Sequence, residues 1–182
     1  MQAPGGPEED PSASFAFGGW QAPYDDELVE QVTGKELEQS VEYLLGRKTF
    51  EIWTDYWPKH GDVWPGINSG MKYVLSKTMA KTDWENTTFI TDVEAIKKLK
   101  ASDGPDLQVW GSSKLIQLLL EYDLVDEIRL MTYPVILGQG KKLFADGAAP
   151  AAYTLVESFV GKSGVIIARY ARVGEVKTGS FD

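Results

Sequence analysis

The sequence predicts an α/β protein whose sheet is mostly parallel and ends in an antiparallel strand. Short β-prone runs alternate with helical patterns through the middle of the chain, which is typical of strand-helix-strand units. The last part of the chain instead carries two β-prone runs around a glycine-containing turn. This pattern predicts a hairpin at the edge of the sheet.

The chain begins with a loop, a helix and a strand in the predicted order. Residues 1–24 are rich in proline, glycine and aromatic residues and predict a loop that is ordered by packing. A helix is expected over residues 25–40, with Asp25 or Asp26 as its N-cap. The short apolar run at residues 41–45 predicts a buried strand.

Further strands and helices follow in alternation. Strands are expected at residues 72–76, 87–91 and 107–110, with a helix capped by Asp92 between the last two. The apolar run KLIQLLLEYDL predicts a helix that leads to another strand at residues 127–133. A right-handed parallel crossover is the expected geometry for this last connection.

The C-terminal part is expected to form the hairpin. Residues 153–159 and 165–170 are the predicted strands, and residues 160–164 form the turn. Residues 174–182 show no pattern and are expected to form a flexible tail. We therefore predict one domain over residues 1–173.

The composition excludes several classes of function. The 182 residues, 43% of them hydrophobic, are enough for one domain with a substantial core. A net charge of -9 opposes binding to nucleic acid or to anionic lipid. Because the chain has no cysteine and a single histidine, His60, we expect no metal site, and a Ser-His-Asp triad would need that one histidine.

The N-terminal segment does not resemble a secretory signal, since it is acidic and rich in proline and glycine. No apolar run approaches the roughly 20 residues that span a bilayer. The expectation from these two observations is a soluble, cytoplasmic protein without membrane or nucleic-acid partners.

Gly111, Ser112 and Ser113 stand where a predicted strand runs into a predicted helix. Such a junction turns unpaired N–H groups and the positive end of the helix dipole outward, which predicts an anion site suited to a pyrophosphate. The alternative is a tight turn at Gly111 followed by a helix that Ser113 merely caps. The sequence leaves both interpretations open.

Two other strand ends carry basic and hydroxyl residues. Gly46, Arg47, Lys48 and Thr49 follow the first predicted strand and suit a phosphate, because arginine contacts it bidentately or stacks on a base. The alternative is a solvated helix start.

Ser76 and Lys77 end the second predicted strand in the same way, and their alternative is an ordinary polar turn. The run GQGKK at residues 138–142 is not a dinucleotide fingerprint, because no convincing helix follows it. It could form a mobile basic loop at the mouth of a cleft.

Candidates for substrate binding and proton transfer are weaker. Asp26 and Glu30 on the first helix could transfer a proton, or they could be ordinary solvated carboxylates. Four aromatic residues could form a substrate platform or simply pack as core or loop. They are Trp20, Tyr24, Tyr56 and Trp57.

The order of these motifs, GRKT, VLSKT, VWGSSKL, LVDEIRL and PVILGQGKKLF, resembles the dihydrofolate reductase superfamily. Within it the chain is most similar to stand-alone relatives of the reductase domain in the bifunctional riboflavin-biosynthesis deaminase-reductase, over essentially residues 1–172. The resemblance implies a three-layer α/β/α fold, NADPH as cofactor and a possible homodimer.

The same resemblance assigns the strand ends to parts of NADPH. Gly46 to Thr49 would meet the adenosine side and the phosphates, Ser76 and Lys77 the 2'-phosphate region, and Gly111 to Ser113 the pyrophosphate. The implied reaction is hydride transfer to a C=N or C=O bond of a small polar heterocycle, as in 5-amino-6-(5-phosphoribosylamino)uracil reductase. The alternatives are a dihydrofolate or pteridine reductase, and a nucleotide-binding protein without turnover.

The sequence departs from its relatives in three ways. Without cysteine it cannot carry the zinc ligands of the deaminase half. Asp26 and Glu30 match the pterin-binding acid of dihydrofolate reductases only approximately. Relatives also open with a strand before a segment like this one, placed between the strands that match residues 107–110 and 127–133. We therefore expect either that the natural polypeptide extends upstream of Met1 or that a segment of this or a partner chain fills that place.

Overall fold

The computed structural model describes residues 2–144, 146 and 148–181. Met1, the first residue of the predicted domain, and Asp182, the last residue of the predicted tail, lie outside the described residues. The chain divides into two compact units. The first unit consists of Val32–Ile116, and the second of Gln2–Gln31 and Gln117–Asp182.

The first unit is built on a four-stranded parallel sheet with the order β3-β2-β1-β4. Its strands are β1 (Glu42–Gly46), β2 (Lys72–Leu75), β3 (Thr87–Ile90) and β4 (Leu107–Gln108). Three α-helices lie within this unit, namely α2 (Arg47–Tyr56), α3 (Pro65–Ser69) and α4 (Val93–Lys100). The helix α1 (Glu27–Leu37) ends in this unit, and α5 (Ser113–Glu121) begins in it.

The second unit contains a three-stranded antiparallel sheet with the order β5-β7-β6. These strands are β5 (Glu127–Thr132), β6 (Ala152–Val160) and β7 (Ile166–Gly174). Arg169 on β7 joins all three strands, because its guanidinium donates to Glu157 on β6 at 2.7 Å and to Glu127 on β5 at 3.0 Å. Cross-strand pairs of opposite charge favour this register.

The predicted fold class is confirmed, and most predicted strands and helices occur within one or two residues of the expected positions. Four details differ. The strand expected at residues 107–110 is only two residues long, and the last strand, expected to end at residue 170, continues to Gly174. The helix α3 was not predicted from the sequence. The antiparallel strands form a sheet of their own, so the prediction of a parallel crossover within one sheet is wrong, because β4 and β5 belong to separate sheets. The additional upstream strand stays a prediction.

The register of the parallel sheet brings the strand ends together. Gly46 at the end of β1 pairs with Leu75 at the end of β2, and Tyr43 of β1 pairs with Gln108 of β4. The carboxyl ends of parallel strands meet at one edge, which is where open α/β sheets bind ligands. This edge therefore holds the segments that the sequence singled out.

The core of the first unit packs around β1 and β2. Leu45 and Val74 on these strands and Phe50 on α2 are completely buried. The continuous apolar run of β1 is typical of a parallel strand that is covered on both faces. Phe50 stacks on Trp84 with a ring-centroid distance of 5.8 Å. These contacts fix α2, and with it the chain that leaves the end of β1.

Lys72 is an unexpected member of this core, since it is fully buried. Its ammonium group donates to the carbonyl oxygens of Gly70 at 2.8 Å, Ile67 at 3.0 Å and Asn68 at 3.3 Å. It also lies 4.7 Å from the centroid of the Trp84 ring. All three N–H groups of the lysine thus have an acceptor, so the side chain serves as a cap for the end of α3.

In the part of the chain that the structure describes, no helix combines the length and the apolar character required to cross a bilayer.

Candidate functional site

Three predicted segments line the carboxyl edge of the parallel sheet. Gly46 ends β1 and is followed by α2, and Ser76 follows β2. Gly111 and Ser112 lie in the connection from β4 to α5, and Ser113 is the first residue of α5. Both α2 and α5 begin at this edge, so the positive ends of two helix dipoles lie there. The first N–H groups of a helix have no partner within the helix, which suits them to an anion.

A serine hydroxyl connects two of these segments. The backbone N–H of Gly46 donates to Ser112 Oγ at 2.9 Å. The Ser112 and Thr49 hydroxyls share a second hydrogen bond, with Oγ and Oγ1 2.6 Å apart. Ser112 therefore fastens the turn before α5 to the first turn of α2, although 66 and 63 residues separate it from these two partners.

The turn before α5 has an unusual backbone. Gly111 and Ser112 both have positive φ, at 77° and 62°. The Ser112 carbonyl accepts the N–H of Ile116 at 3.0 Å, so Ser112 occupies the N-cap position that one interpretation of the sequence gave to Ser113. Among the described atoms, a Cβ built on Gly111 would meet nothing within 4 Å. The outer face of this turn is thus open to a ligand.

The first turn of α2 carries the basic residues. Arg47 pairs with Glu51 at 2.5 Å, and both side chains are more than 40% exposed. Exposed ion pairs of this kind contribute about 0 to 1 kcal/mol, so an anionic ligand could recruit the guanidinium at little cost. Lys48 is exposed beside it, and Thr49 is half-buried.

Ser76 has a structural task in the turn after β2. Its buried hydroxyl oxygen accepts the N–H groups of Met79 at 2.9 Å and Thr78 at 3.2 Å. Lys77 is exposed in the same turn. Ser76 is thus occupied within its own turn, whereas the charge of Lys77 is available to a ligand.

This donor set fits the diphosphate of a dinucleotide. The ends of neighbouring strands carry the N-termini of α2 and α5, the linked hydroxyls of Ser112 and Thr49, and three exposed cations, and the turn at Gly111 is open. The cations are Arg47, Lys48 and Lys77. In the described parts of the chain, no group of three or more His, Cys, Asp and Glu side chains is arranged to hold a metal ion.

The four aromatic candidates fall into two pairs. In the second unit, Trp20 and Tyr24 both pack edge-on against Tyr133, with centroid distances of 5.0 and 6.1 Å. Burial, together with the charge of Asp25, raises the pKa of Tyr133 to about 12. The indole N–H of Trp20 donates to the Gln2 carbonyl at 2.9 Å. These contacts give Trp20 and Tyr24 a packing role whether or not they also meet a substrate.

In the first unit, Tyr56 is exposed and stacks on His60 with a centroid distance of 3.9 Å. Trp57 packs edge-on against Trp64 at 5.1 Å and against Tyr56 at 5.0 Å. Trp57 packs against the core, whereas Tyr56 remains 49% exposed beside His60. Tyr56 is therefore the member of this pair that a ligand could reach.

Asp26 is held as a carboxylate by its surroundings. The backbone N–H and the hydroxyl of Ser163 donate to Oδ2 at 2.8 and 2.7 Å. The N–H groups of Leu28 and Val29 donate to Oδ1, both at 3.0 Å. These hydrogen bonds, those from Ser163 foremost, lower the pKa of Asp26 to about 2. Asp26 thus caps α1 and binds the hairpin turn, and Glu30 is exposed one turn further along.

Among the residues that the structure describes, no helix follows the GQGKK loop, in agreement with the rejection of a dinucleotide fingerprint. Gly138 and Gly140 have positive φ, at 72° and 119°. Lys141 forms an ion pair with Asp10, and Lys142 approaches Asp146 at 3.5 Å. Both lysines of the loop therefore have acidic partners within the second unit.

Sequence reasoning missed two features. The Ser112 link depends on residues far apart in the chain, and only the run Gly-Ser-Ser after a strand pointed to it. The burial of Lys72 had no signal beyond an apolar neighbourhood, because a lysine at the start of a strand is ordinarily exposed.

Solved structures share this architecture. A protein of Shewanella sp. PV-4 assigned to riboflavin biosynthesis has a TM-score of 0.63 and 24% identity, covering 82% of this chain and 81% of its own. A pyrimidine reductase-like protein of Corynebacterium diphtheriae has a TM-score of 0.55 and 13% identity, covering 85% of both chains. These similarities establish a dihydrofolate-reductase-like fold.

Sequence comparison identifies the family. The chain matches the RibD C-terminal domain family over residues 2–167. The uncharacterised protein YyaP of Bacillus subtilis is 37% identical over 138 residues, which is 71% of this chain and 73% of YyaP. The chain therefore belongs to the RibD C-terminal domain family.

Proposed function

We propose that the protein is a cytoplasmic, NADPH-dependent reductase that transfers hydride to a small polar heterocyclic or carbonyl substrate. The observation that carries this proposal is the single edge of the parallel sheet where α2 and α5 begin, with Gly46 and Thr49 hydrogen-bonded to Ser112. Membership of the RibD C-terminal domain family supports a reductase of the riboflavin-biosynthesis type.

The chain's own part in the reaction is to bind and orient. The N-terminal N–H groups of α5 and the open turn at Gly111 would hold the diphosphate. Arg47, Lys48 and Lys77 would neutralise its charge and that of a 2'-phosphate. When bound, the reduced nicotinamide supplies the hydride.

The proton is expected from water or from a group on the substrate. A carboxylate whose pKa is about 2, as for Asp26, is a poor acid near neutral pH. A substrate related to 5-amino-6-(5-phosphoribosylamino)uracil agrees best with the family. A pteridine reductase and a nucleotide-binding protein without turnover are the competing proposals.

The test compares binding with turnover. NADPH and NADH affinities are measured by titration calorimetry, and NADPH oxidation is followed with a ribosylaminouracil phosphate, a dihydropteridine and dihydrofolate. Turnover with the first compound alone is the expected result. Turnover with a pteridine alone favours the second proposal, and tight NADPH binding without any oxidation favours the third.

Cofactor preference has its own variant. Arg47→Ala should weaken NADPH binding about tenfold and NADH binding less, because a charge-assisted contact contributes about 1.5 to 3 kcal/mol. The exposed Lys81 provides the matched control, since Lys81→Ala removes a cation elsewhere in the same unit. Equal losses for both cofactors would contradict the assignment of the 2'-phosphate to Arg47.

The family resemblance also leads us to propose a homodimer. Light scattering coupled to size-exclusion chromatography measures this directly, and a mass near 20.2 kDa, that of one chain, would contradict it.

A further inference from the structure

Ser112 was expected to contact the cofactor, yet its hydroxyl already has two partners in the protein. The oxygen accepts the N–H of Gly46 at 2.9 Å, and it shares a hydrogen bond with Thr49 Oγ1 at 2.6 Å. Each hydroxyl group has one proton, and one of the two protons of this pair lies between the two oxygens. The two hydroxyls therefore act as a pair, with one proton left between them for a phosphate oxygen.

We propose that Ser112 is a positioning residue, which fastens the α5 turn to the start of α2 and holds the Thr49 hydroxyl in place at the cofactor site. This inference rests on the proposed function, because it takes the edge of the parallel sheet as the cofactor site. It differs from direct contact in that Ser112 acts through Thr49 and Gly46.

The location of Thr49 supports this role. Its Oγ1 lies 2.6 Å from Ser112 Oγ, so the two hydroxyls share one hydrogen bond. Thr49 is half-buried in the first turn of α2, where an anion would lie near the helix N-terminus. Hydrogen bonds in a chain strengthen one another, so the chain from Gly46 through Ser112 to Thr49 holds the Thr49 side chain in one orientation.

The packing at Gly46 supports a close junction. A Cβ built on Gly46 would lie 2.9 Å from Ser112 Oγ and 3.1 Å from Ser112 Cβ. Gly46 has φ -77° and ψ 152°, an extended conformation that any residue adopts. The glycine is thus needed here for space, and the space it leaves is the one that Ser112 occupies.

The experiment is a double-mutant cycle on NADPH affinity with Ser112→Gly, Thr49→Val and the double variant. Glycine is chosen because it adopts the φ of 62° more easily than serine does, so the turn keeps its conformation. Each single variant should weaken NADPH binding about tenfold. The double variant should bind no more weakly than the weaker single variant, because both changes interrupt the same chain of hydrogen bonds.

Two further measurements separate positioning from general damage. The KM for NADPH should rise in Ser112→Gly while kcat at saturating NADPH is kept. Without cofactor, hydrogen exchange of the Gly46 amide should be faster in Ser112→Gly than in the wild type. Ser102→Gly is the control, because the Ser102 hydroxyl donates to the Leu99 carbonyl at 2.7 Å at the end of α4.

Each outcome has a distinct meaning. Additive losses in the cycle would show that Ser112 contacts the ligand directly and would overturn the inference. Wild-type affinity in Ser112→Gly would overturn it while leaving the proposed function intact. Failure of the wild-type protein to bind NADPH would overturn the proposed function and the inference together.

Discussion

Lys72 offers a test of the packing that is independent of any ligand. Replacing it with methionine keeps the length of the side chain and removes Nζ, which leaves the carbonyl oxygens of Ile67, Asn68 and Gly70 without this donor. Hydrogen bonds from charged donors contribute about 1.5 to 3 kcal/mol each, but burying the ammonium group costs several kcal/mol. We therefore expect Lys72→Met to lower the free energy of unfolding by about 3 kcal/mol at pH 7.

The pH dependence of the unfolding free energy gives a sharper test, because the lowered pKa of Lys72 determines whether stability rises or falls with pH. Burial lowers the pKa of Lys72 to about 8 from its ordinary value of 10.5, against the opposing effect of Glu85. Between these two pH values the unfolded chain binds a proton that the folded protein has released, so the stability contributed by this group rises with pH. From about pH 7.5 to pH 9.5 the rise should be about 2 kcal/mol.

Urea unfolding followed by tryptophan fluorescence measures both quantities, and Trp84 lies next to the lysine. The difference in unfolding free energy between the wild type and Lys72→Met should widen from pH 7.5 to pH 9.5. The exposed Lys81 supplies the control variant Lys81→Met. A difference that narrows would mean that the three carbonyls hold the proton more strongly than burial expels it, and our account of Lys72 would be wrong.

Three further substitutions test the candidate site and its surroundings. Gly46→Ala should lower the unfolding free energy by about 1 to 2 kcal/mol and the NADPH affinity about tenfold, because the added Cβ would clash with the Ser112 side chain. Unchanged affinity in a folded variant would contradict the close packing of Gly46 against Ser112. Gly111→Val should lower the free energy of unfolding by about 1 to 2 kcal/mol, because valine is strained at a positive φ, and it should weaken NADPH binding by a larger free energy than that. Equal losses in calorimetry and in urea unfolding would indicate that the glycine is purely structural. Asp26→Asn should lower the Tm at pH 7 by about 3 °C. It should also reduce the loss of stability that the wild type shows from pH 4 to pH 2, since a carboxyl with a lowered pKa contributes stability above its ordinary pKa and loses it as the pH falls. An unchanged dependence of stability on acid pH would show that Ser163 does not stabilise the charge.

Local pattern was sufficient to predict most of the fold. The apolar run at β1 and the Asp92 cap of α4 are short-range signals, and the structure contains both as expected, with Asp92 Oδ1 accepting the N–H of Ala95 at 2.9 Å. The same reasoning could not reveal that β5 to β7 form a separate sheet, because sheet membership depends on pairing between distant strands. It also overlooked α3, whose five residues PGINS have too little periodicity to register as a helix.

The candidate site divides in the same way between local and distant information. That small and basic residues follow β1, β2 and β4 could be predicted, because a strand end is recognisable from a few neighbouring residues. Which of these residues face a ligand could not, because that depends on the partners each finds in the fold. Ser76 turned out to bind its own turn, and Ser112 to bind Gly46 and Thr49.

The conformation of Ser112 shows why a serine at this position is informative. A residue other than glycine at φ 62° costs about 1 to 2 kcal/mol, and the preceding Gly111 shows that the turn accepts glycine at a similar φ of 77°. Two hydrogen bonds contribute about 0.5 to 1.5 kcal/mol each, which roughly offsets the strain and leaves little net gain in stability. The two hydrogen bonds of Ser112 therefore add little to the free energy of unfolding, and their main effect is to align the N-termini of α2 and α5. Ser112→Gly should change the unfolding free energy far less than it changes the free energy of NADPH binding.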